Sequence, residues 1–485
     1  MSKFQGLDAY TRRARYELLP FKFDRLEGDN YIITNMTGEY LEVAMSELQV
    51  LLAKDLATEH PLFASLRAKH FIRYADEQAP LDLLALKLRT RLSRLTGFTS
   101  LHIFVVTLRC DHSCPYCQVS RQMDGETSFD MTPDMADKAL DFVFRSPNPA
   151  IKIEFQGGEP LLNFEMVRYV VEAAKRRNLD EKRDLEFVIA TTLSLLTDEV
   201  LAFCHEHDII LSTSLDGPAD LHNANRPRVG RDSFERFESG LAKARNVLGV
   251  DRVSALMTTT DKSLPHVREI IDEYVRLGFN GIFLRALSPY GFAIKTRKFM
   301  TYDTERWLEF YKEGLAYILE LNKAGIPFVE HYASLILKKM LTSNDPGYVD
   351  LMNPAGAGIA AIVFNYDGSV YASDESRMLA EMGDQTFRLG SILTDSYEDI
   401  ILSDVLLDAL EQSFTLSAPM CSDCAFEPYC GAEPVFHHAI FKDVLGRKAE
   451  SSFCKRNMSI FKHLIGLMQS DTSTRRLFMQ WANAC

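Results

Sequence analysis

Three cysteines lie within eight residues, directly after the apolar run Leu101–Leu108. They are Cys110, Cys114 and Cys117, spaced C-x3-C-x2-C. Thiolates this close can serve one centre only if that centre is a metal ion or an iron–sulfur cluster. Structural zinc and cubane clusters usually take four protein ligands, and no fourth cysteine follows nearby. One coordination position is left for an outside ligand, so the loop predicts an active site.

Composition and charge exclude several functional classes. The chain has 485 residues, of which 46% are hydrophobic and 25% charged, and its net charge is −13. This charge argues against nucleic acid as the main partner, because phosphate binding needs a concentrated basic surface. The sequence has no uninterrupted apolar run of about 18 residues, so it predicts no membrane span. Met1–Tyr10 shows no secretory signal. Clustered cysteines in such a chain indicate metal ligands in a cytoplasmic protein, with Cys204 as a core thiol and Cys485 as a tail residue.

From Leu101 onward, strand and helix patterns alternate. The six strand candidates are Leu101–Leu108, Ile151–Phe155, Leu185–Thr191, Ile209–Leu215, Val253–Thr258 and Gly281–Leu287. Thr132-Pro133 and Thr197 are predicted to begin helices, and Gly278 to end one. Six β–α units predict an α/β fold in which a parallel sheet curls into a partial barrel. Chemistry in β/α barrels occurs at the carboxyl ends of strands, where the cysteine loop lies.

The cysteine spacing, with an aromatic residue, Tyr116, before the last cysteine, resembles the signature of radical S-adenosylmethionine (SAM) enzymes. The resemblance implies a partial (β/α)6 barrel and a 4Fe–4S cluster held by Cys110, Cys114 and Cys117. It also implies that SAM binds the iron that has no cysteine, with Tyr116 among the SAM-binding residues.

The segment Gly157-Gly158-Glu159, at the end of the second strand, resembles the GGE segment that binds the amino group of SAM in this family. Two glycines let backbone approach a ligand closely, and Glu159 can receive an ammonium group. The alternative is an ordinary turn. Relatives often carry Asn-Gly after the third strand, whereas this chain has Thr191-Thr192.

The fourth strand ends in a segment that resembles the SxDG…R segment of peptide-modifying radical SAM enzymes. Here it reads Ser214-Leu-Asp216-Gly217, followed by Arg226. The resemblance implies that Ser214 and Asp216 lie near the ribose and carboxylate of SAM, and that Arg226 pairs with a carboxylate. The alternative is a polar strand end closed by a turn.

Near the C-terminus, Cys421-x2-Cys424-x5-Cys430, with Cys454 beyond, resembles the SPASM domain of peptide-modifying enzymes. That domain carries auxiliary iron–sulfur clusters. The resemblance implies one auxiliary 4Fe–4S cluster on these four cysteines. A four-thiolate zinc site is the alternative, since the same ligands suit zinc.

The cysteines of a second auxiliary cluster are missing. Ser373 and Pro434 stand at two of the expected positions, and Pro354–Gly356 near a third. Asp374 follows Ser373, and in related sulfatase-maturing enzymes the aspartate after the matching cysteine is the base that deprotonates substrate. Asp374 is therefore the candidate catalytic residue, with a solvated acidic turn as the alternative.

The first 90 residues predict three strands followed by helices. The strands are Phe21–Leu26, Asn30–Asn35 and Glu39–Val43, the helices are Ser46–Leu56 and Leu62–Phe71, and a connecting helix spans Pro80–Thr96. This order resembles the winged-helix-like peptide-recognition domains that hold a leader peptide as an added strand. The alternative is a structural cap on the barrel.

These patterns predict three regions: a winged-helix-like region (1–90), a radical SAM partial barrel (91–330) and a SPASM-like cluster domain (331–485). The segment Phe104–Ser120 and the missing auxiliary cysteines most resemble the His-Xaa-Ser system radical SAM maturases. The resemblance implies an oxidoreductase that generates a 5′-deoxyadenosyl radical to modify a ribosomally made peptide rich in His-Xaa-Ser repeats. It also implies an electron donor such as flavodoxin or ferredoxin. The alternatives are a sulfatase-maturing type of enzyme that acts on a Cys or Ser, and a non-catalytic iron–sulfur or zinc scaffold.

Overall fold

The computed structural model describes residues 16–484, so residues 1–15 and Cys485 lie outside the described part of the chain. The first region has five strands and three helices. These are β1 (Tyr16–Leu18), β2 (Phe21–Arg25), β3 (Asn30–Asn35), β4 (Tyr40–Ala44), α1 (Met45–Leu52), α2 (Pro61–Ala68), β5 (Ile72–Tyr74) and α3 (Ala79–Arg91). The three predicted strands are present, with ends shifted by at most one residue.

The N-terminal region forms a small sheet with its own hydrophobic core. Strands β2, β3 and β4 pair antiparallel in that order. The core beneath them contains Ile33, Leu51 and Phe71, which are fully buried. The sequence did not predict β1 and β5, which pair as a separate antiparallel ribbon. Within residues 16–484, β2 and β4 are the sheet edges.

Six strands and eight helices follow in the second region. They are β6 (Leu101–Thr107), α4 (Pro133–Val143), β7 (Ala150–Gly157), α5 (Phe164–Glu181), β8 (Asp184–Ala190), α6 (Asp198–Glu206), β9 (Ile210–Ser214), α7 (Ala219–Asn225), α8 (Ser233–Leu248), β10 (Val253–Leu256), α9 (Val267–Arg276), β11 (Gly281–Ile282), α10 (Phe292–Lys295) and α11 (Thr304–Lys323). The predicted helix starts are confirmed. Thr132 Oγ1 accepts from Met135 N at 3.4 Å, and Thr197 Oγ1 accepts from Val200 N at 3.2 Å.

The third region mixes short strands with helices. They are β12 (Val329–Glu330), α12 (His331–Leu341), β13 (Ala361–Phe364), β14 (Ser369–Tyr371), α13 (Asp374–Ala380), β15 (Arg388–Ser391), α14 (Tyr397–Ile401), α15 (Asp404–Gln412), α16 (Pro434–Phe441), α17 (Ser452–Ser470) and α18 (Thr472–Ala484). Short 3-10 turns cover Ser93–Thr96, Thr127–Phe129, Pro160–Asn163, Val250–Arg252, Leu264–His266, Lys298–Met300, Val349–Leu351 and Glu427–Tyr429. No helix in the described part of the chain has the length and apolar character needed to cross a bilayer.

One eight-stranded sheet forms the centre of the molecule, in the order β10-β9-β8-β7-β6-β13-β14-β15. Strands β6 to β10 are parallel, which confirms the α/β partial barrel. Strand β13 pairs parallel with β6, with Val363 opposite Ile103. The sheet therefore continues across the predicted boundary near residue 330, and residues 361–391 extend it.

The sixth predicted strand is shorter than expected. Only Gly281–Ile282 is regular, and it pairs with β12 outside the large sheet. Beyond it, the Leu284 N–H donates to the Glu330 side chain at 3.1 Å, and the Arg285 carbonyl accepts from Thr259 N at 2.8 Å. A side chain thus takes the place of a neighbouring strand, which ends the regular pairing.

The N-terminal region is attached to the C-terminal region through a buried arginine at the end of α3. Arg91 is 8% exposed. Its guanidinium donates to the carbonyls of Thr37 (3.0 Å), Lys339 (3.3 Å) and Pro428, which belong to three separate segments. Tyr429 Oη donates to the Gly38 carbonyl at 2.9 Å beside it. These bonds fix the N-terminal sheet beside the Cys421–Cys430 segment.

Candidate active site

The cysteine loop opens into a cavity of about 250 Å³ at the carboxyl ends of the parallel strands. Its walls include many of the predicted site residues, namely Cys110, Cys114, Cys117, Tyr116, Gly157, Gly158, Ser214, Arg226 and Asp374. Glu159 and Asp216 are fully buried and contact residues of the wall instead. Thr191, Thr192 and Arg285 also line the cavity.

Tyr116, Asp216 and Arg226 form one buried polar group. Tyr116 Oη donates to Asp216 Oδ2 at 2.5 Å, and Arg226 Nη2 donates to Asp216 Oδ1 at 3.2 Å. The Arg226 guanidinium also lies 5.5 Å from the centre of the Tyr116 ring, in cation–π range. The predicted SxDG…R residues therefore meet the aromatic residue of the cysteine loop in three dimensions.

A chain of hydrogen bonds joins the end of β9 to the cysteine loop, and the sequence did not reveal it. The Asp216 N–H donates to His222 Nδ1 (3.4 Å), so His222 Nε2 carries its proton toward Ser233 Oγ (3.1 Å). Ser233 Oγ then lies 2.9 Å from His112 Nε2, and His112 Nδ1 lies 2.7 Å from Asp111 Oδ1. The chain fixes one tautomer for each histidine.

Asp111 lies at the end of this chain, inside the cysteine loop. Its other carboxylate oxygen accepts from Ser194 Oγ at 2.8 Å and from Arg228 Nε at 2.9 Å. Burial opposes ionisation, but the hydrogen bonds from His112, Arg228 and Ser194 outweigh it and lower the pKa of Asp111. The signal in the sequence was an Asp-His pair between two cysteines. Because both side chains are held by hydrogen bonds, they orient the loop, and His112 also lines the cavity beside the thiols.

Gly157 and Gly158 serve the backbone of the sheet. A Cβ atom at Gly157 would lie 1.8 Å from the Thr107 carbonyl oxygen, and one at Gly158 would lie 2.1 Å from the Arg109 oxygen. Gly157 also has a φ of +141°. These close approaches require glycine whether or not a ligand is bound, which adds a structural reason to the predicted one.

Glu159 holds the loop that follows β8. Its carboxylate accepts from Thr191 Oγ1 (2.7 Å), from Thr192 N (2.8 Å) and from Thr192 Oγ1 (2.7 Å). Burial raises the pKa of Glu159, against these hydrogen bonds. The two threonines stand where relatives often carry Asn-Gly, and they place Glu159 behind the cavity wall. That Glu159 binds the amino group of SAM stays a prediction.

Asp374 reaches the cavity from the C-terminal region. Arg377, which is fully buried, donates to Asp374 Oδ1 from Nε (3.1 Å) and Nη2 (3.0 Å). Both bonds go to one oxygen, which leaves Oδ2 available to a substrate. Asp374 is thus positioned by an arginine at the wall of the cavity, and the alternative of a solvated turn does not describe it.

The sequence profile of the radical SAM superfamily matches residues 104–273, the segment that runs from β6 into α9. This match includes the three cysteines of the cavity and both polar groups described above. Residues 104–273 of this chain form a radical SAM domain. The match favours an enzyme over a non-catalytic scaffold.

Two related sequences show how far the likeness extends. An uncharacterised protein of Methanocaldococcus jannaschii is 28% identical over 191 residues, which cover 39% of this chain and 62% of that protein. The match thus spans less than two thirds of that relative. A cysteine-type anaerobic sulfatase-maturating enzyme of Clostridium perfringens is 23% identical over 339 residues, which cover 66% of this chain and 84% of that enzyme.

Solved structures agree on the fold. The structure of native anSMEcpe with bound AdoMet has a TM-score of 0.63 at 17% identity, and the match covers 79% of this chain and all of that one. Streptococcus suis SuiB bound to its precursor peptide SuiA has a TM-score of 0.51 at 13% identity, with 84% of this chain and 93% of SuiB covered. Both likenesses extend well beyond the barrel.

Radical SAM enzymes use a 4Fe–4S cluster and SAM, and the cavity fits both. Burial raises the pKa of Cys114 to about 12 and also raises that of Cys110, so these thiols ionise only beside a cationic centre. Arg121 Nε and Thr213 Oγ1 belong to residues of the wall and are buried without a hydrogen-bond partner among residues 16–484. Unpartnered polar atoms cost free energy, which polar groups of SAM would relieve. We propose that Cys110, Cys114 and Cys117 hold the cluster.

Cys421, Cys424, Cys430 and Cys454 meet beside the N-terminal sheet. Burial is the main cause that raises the pKa of Cys424 to about 12, and the other three cysteines contribute to this rise. Lys448 faces this group, since Cys421, Cys430 and Cys454 act on its pKa. Four half-buried thiols with one ammonium nearby suit a centre that binds thiolates, and we propose that they hold the auxiliary cluster.

The spacing of these sulfurs favours the cluster over zinc. In residues 16–484, one group of three candidate ligand atoms lies within 4.8 Å of one another, and it is Cys110, Asp111 and His112. No three of the four C-terminal sulfurs are therefore that close to one another. Tetrahedral zinc with Zn–S bonds of about 2.3 Å needs sulfurs about 3.8 Å apart.

The positions of the missing auxiliary cysteines have become helix starts. Ser373 is the N-cap of α13, where its Oγ accepts from Ser376 N at 3.2 Å. Pro434 is the first residue of α16, where its missing N–H costs nothing. Residues that begin helices thus stand where the resemblance to SPASM domains would place these cysteines.

We expect the reconstituted enzyme to contain about eight irons, four for each of two cubanes. Replacing Cys110, Cys114 and Cys117 together with alanine should leave about half of the iron, because the C-terminal site is separate. Metal analysis and iron–sulfur absorption measure this. Zinc in the remainder would contradict the proposed auxiliary cluster.

Proposed function

We propose that this enzyme is a maturase that modifies a ribosomally made peptide of the His-Xaa-Ser repeat type. The observation that carries the proposal is the N-terminal sheet, whose edge strand β4 borders a groove. The groove measures about 600 Å³ and is lined by Tyr40 and Glu42 of β4, by Met340, and by Gln469 and Met479 of the C-terminal helices. An exposed strand edge can accept an extended peptide as an additional strand.

At the groove, the outward backbone groups of β4 that could accept a peptide are those of Glu42, because the Tyr40 carbonyl accepts from Lys69 Nζ and the Ala44 N–H donates to Glu47. Asn35 N donates to Glu39 O at 3.1 Å, and Met45 N donates to Asp29 O at 2.9 Å. In an antiparallel pair such inward bonds recur at every second residue, so the N–H and C=O of Glu42 point to the free side. A leader peptide could therefore pair at Glu42. SuiB, which shares the fold, has been solved with its precursor peptide.

The residues around the cavity would position substrate for radical chemistry. When bound, the cluster and SAM supply a 5′-deoxyadenosyl radical that removes a hydrogen atom from an unactivated carbon. Asp374, positioned by Arg377, would accept a proton from the substrate. The chain from Asp216 to Asp111 would hold the cysteine loop in one geometry, so that reactants stay aligned.

A flavodoxin or ferredoxin would supply the electrons, and the free cysteines favour a cytoplasmic location, where thiols stay reduced.

A second candidate function is sulfatase maturation. It is favoured by the likeness to the Clostridium perfringens enzyme and by Asp374 at the cavity wall. Anaerobic incubation of the reconstituted enzyme with a His-Xaa-Ser repeat precursor and, separately, with a sulfatase peptide decides between them. A mass change in the sulfatase peptide alone would overturn our proposal.

Glu42→Pro should raise the Michaelis constant for a precursor with its leader about tenfold, the cost of one lost hydrogen bond. Proline removes the outward N–H and leaves the β3–β4 ladder intact. SAM cleavage without peptide should not change. A point substitution is preferable to removing residues 1–90, because Tyr429 bonds to Gly38 in that region.

Glu42→Ala is the matched control, since it also loses the side-chain contact with Gln469 but keeps the N–H. Its Michaelis constant should stay near the wild-type value. Equal constants for Glu42→Pro and Glu42→Ala would show that the peptide does not pair at this edge.

A further inference from the structure

Three carboxylates from separate segments meet between the barrel and the C-terminal region. They are Asp350 in a 3-10 turn, Glu375 in the first turn of α13, and Glu433 just before α16. A Cβ atom at Gly431 would lie 2.0 Å from the Asp350 carbonyl oxygen, so these two segments pack directly together. Asp350 and Glu375 both act on the carboxyl of Glu433.

This group adjoins the radical SAM cavity. Arg285 lines the cavity and lies 3.8 Å from Glu375 through Nη2. Arg285 and Glu375 keep 34% and 20% of their side-chain surface accessible, although both lie between packed segments. Arg285 thus connects Glu375 with the wall of the cavity.

The negative charges exceed the cations beside them. Asp374 is already paired with Arg377, so Arg285 beside Glu375 and Arg456 near Glu433 are the cations that face the three carboxylates. Burial is the largest cause that raises the pKa of Glu375 to about 7, and the negative charges of Asp350 and Asp374 are the next largest. Burial is also the largest cause that raises the pKa of Glu433 well above its usual value, and the negative charges of Asp350 and Glu375 add to it. Such a group is destabilised when empty, and a cation would relieve it.

Tyr290 provides an independent indication that the space takes a ligand. It is 1% exposed and belongs to one apolar cluster with Leu379 of α13 and Val435 of α16. Its hydroxyl has no hydrogen-bond partner in the described part of the chain, and its charged neighbours are the three carboxylates and Arg285. A buried phenol without a hydrogen-bond partner costs free energy. A ligand held by the three carboxylates would be a neighbour of this phenol.

The carboxylates also occupy a particular place in the chain. Glu375 lies two residues after Ser373, and Glu433 lies directly before Pro434. Ser373 and Pro434 are positions where a second auxiliary cluster would have its cysteines. Acidic side chains therefore stand beside these positions, and Arg285 links them to the cavity.

We propose that Asp350, Glu375 and Glu433 form a subsite for a cationic substrate side chain, an imidazolium, ammonium or guanidinium, next to the reacting carbon. The inference rests on the proposed function and names a property of its substrate. Charge pairing in a buried site is strong and directional, so it would select the residue presented to the radical. The subsite thus determines specificity, and radical formation is independent of it.

The test uses the holoenzyme with SAM and four leaderless peptides. One carries a His-Xaa-Ser repeat, and the others have Lys, Gln or Glu in place of His. Anisotropy of labelled peptides gives the dissociation constants, and mass spectrometry follows modification. The wild-type enzyme should bind the His and Lys peptides at least about tenfold more tightly than the Gln peptide, and the Glu peptide most weakly.

Glu375→Gln should reduce the preference for His over Gln to about twofold or less, while SAM cleavage without peptide stays unchanged. Glu433→Gln repeats the test if the first variant fails to fold. Glu381→Gln is the matched control. Burial also raises the pKa of Glu381, at the other end of α13, but its charged neighbours include Arg377 and Asp367. The preference of this variant for the His peptide over the Gln peptide should match that of the wild type.

Equal affinity of the wild type for the His and Gln peptides, or an intact preference in the folded Gln variants, would overturn the subsite. Failure of the proposed function looks different. The His peptide would then bind selectively and lose that selectivity in Glu375→Gln, yet no peptide would change in mass.

Discussion

Replacing Cys114 with alanine should abolish reductive cleavage of SAM, with a loss of more than about a hundredfold in 5′-deoxyadenosine formation. Cys114 is one of three thiols at the cavity, and burial raises its pKa to about 12, so it is ionised only when it binds metal. Without it, an iron has no protein ligand and the cluster is lost or displaced. Chromatography of SAM products after reduction by dithionite measures this.

Cys204→Ala is the matched control, because Cys204 is fully buried in the core at α6 and is also a free thiol. This variant should cleave SAM at the wild-type rate and keep its iron. Normal cleavage in Cys114→Ala would show that the cluster does not depend on this cysteine.

Arg91→Met should destabilise the protein by about 3–5 kcal/mol, the typical cost of leaving buried polar groups unpaired. Methionine fills similar space but leaves the carbonyls of Thr37, Lys339 and Pro428 without their donor. Chemical unfolding measures the loss of stability. Limited proteolysis should also cut the chain near α3 earlier than in the wild type, since the N-terminal sheet is no longer fixed.

Arg89→Met, on the exposed face of the same helix, controls for the loss of one charge. Its unfolding free energy should change by less than about 0.5 kcal/mol. If the two variants unfold alike, the three carbonyls are not what attaches the N-terminal region.

The sequence predicted what depends on neighbouring residues. Cys110, Cys114 and Cys117 occupy one loop, so their spacing was enough to indicate a common centre. Helix starts at Thr132 and Thr197 were readable because an N-cap bonds only three residues ahead. The strands of the barrel were readable from their continuous apolar runs.

Contacts between distant segments were not predictable from such patterns. Ser233 is an ordinary helix residue in the sequence, and only the fold places its hydroxyl between His112 and His222. The sixth strand ended early because the Glu330 side chain, far along the chain, bonds to Leu284 N. Pairing across long separations depends on which surfaces meet, and one sequence does not reveal this.

The parallel pairing of β13 with β6 has a consequence for protein engineering. Peptide-modifying enzymes invite chimeras in which the C-terminal region of one relative is joined to the barrel of another. A cut between β12 and β13 would strip a strand from β6 and leave its apolar edge unpaired, a template for aggregation. The smallest unit to transplant would therefore extend from β6 through β15, so that the strand before the cysteine loop keeps both of its neighbours.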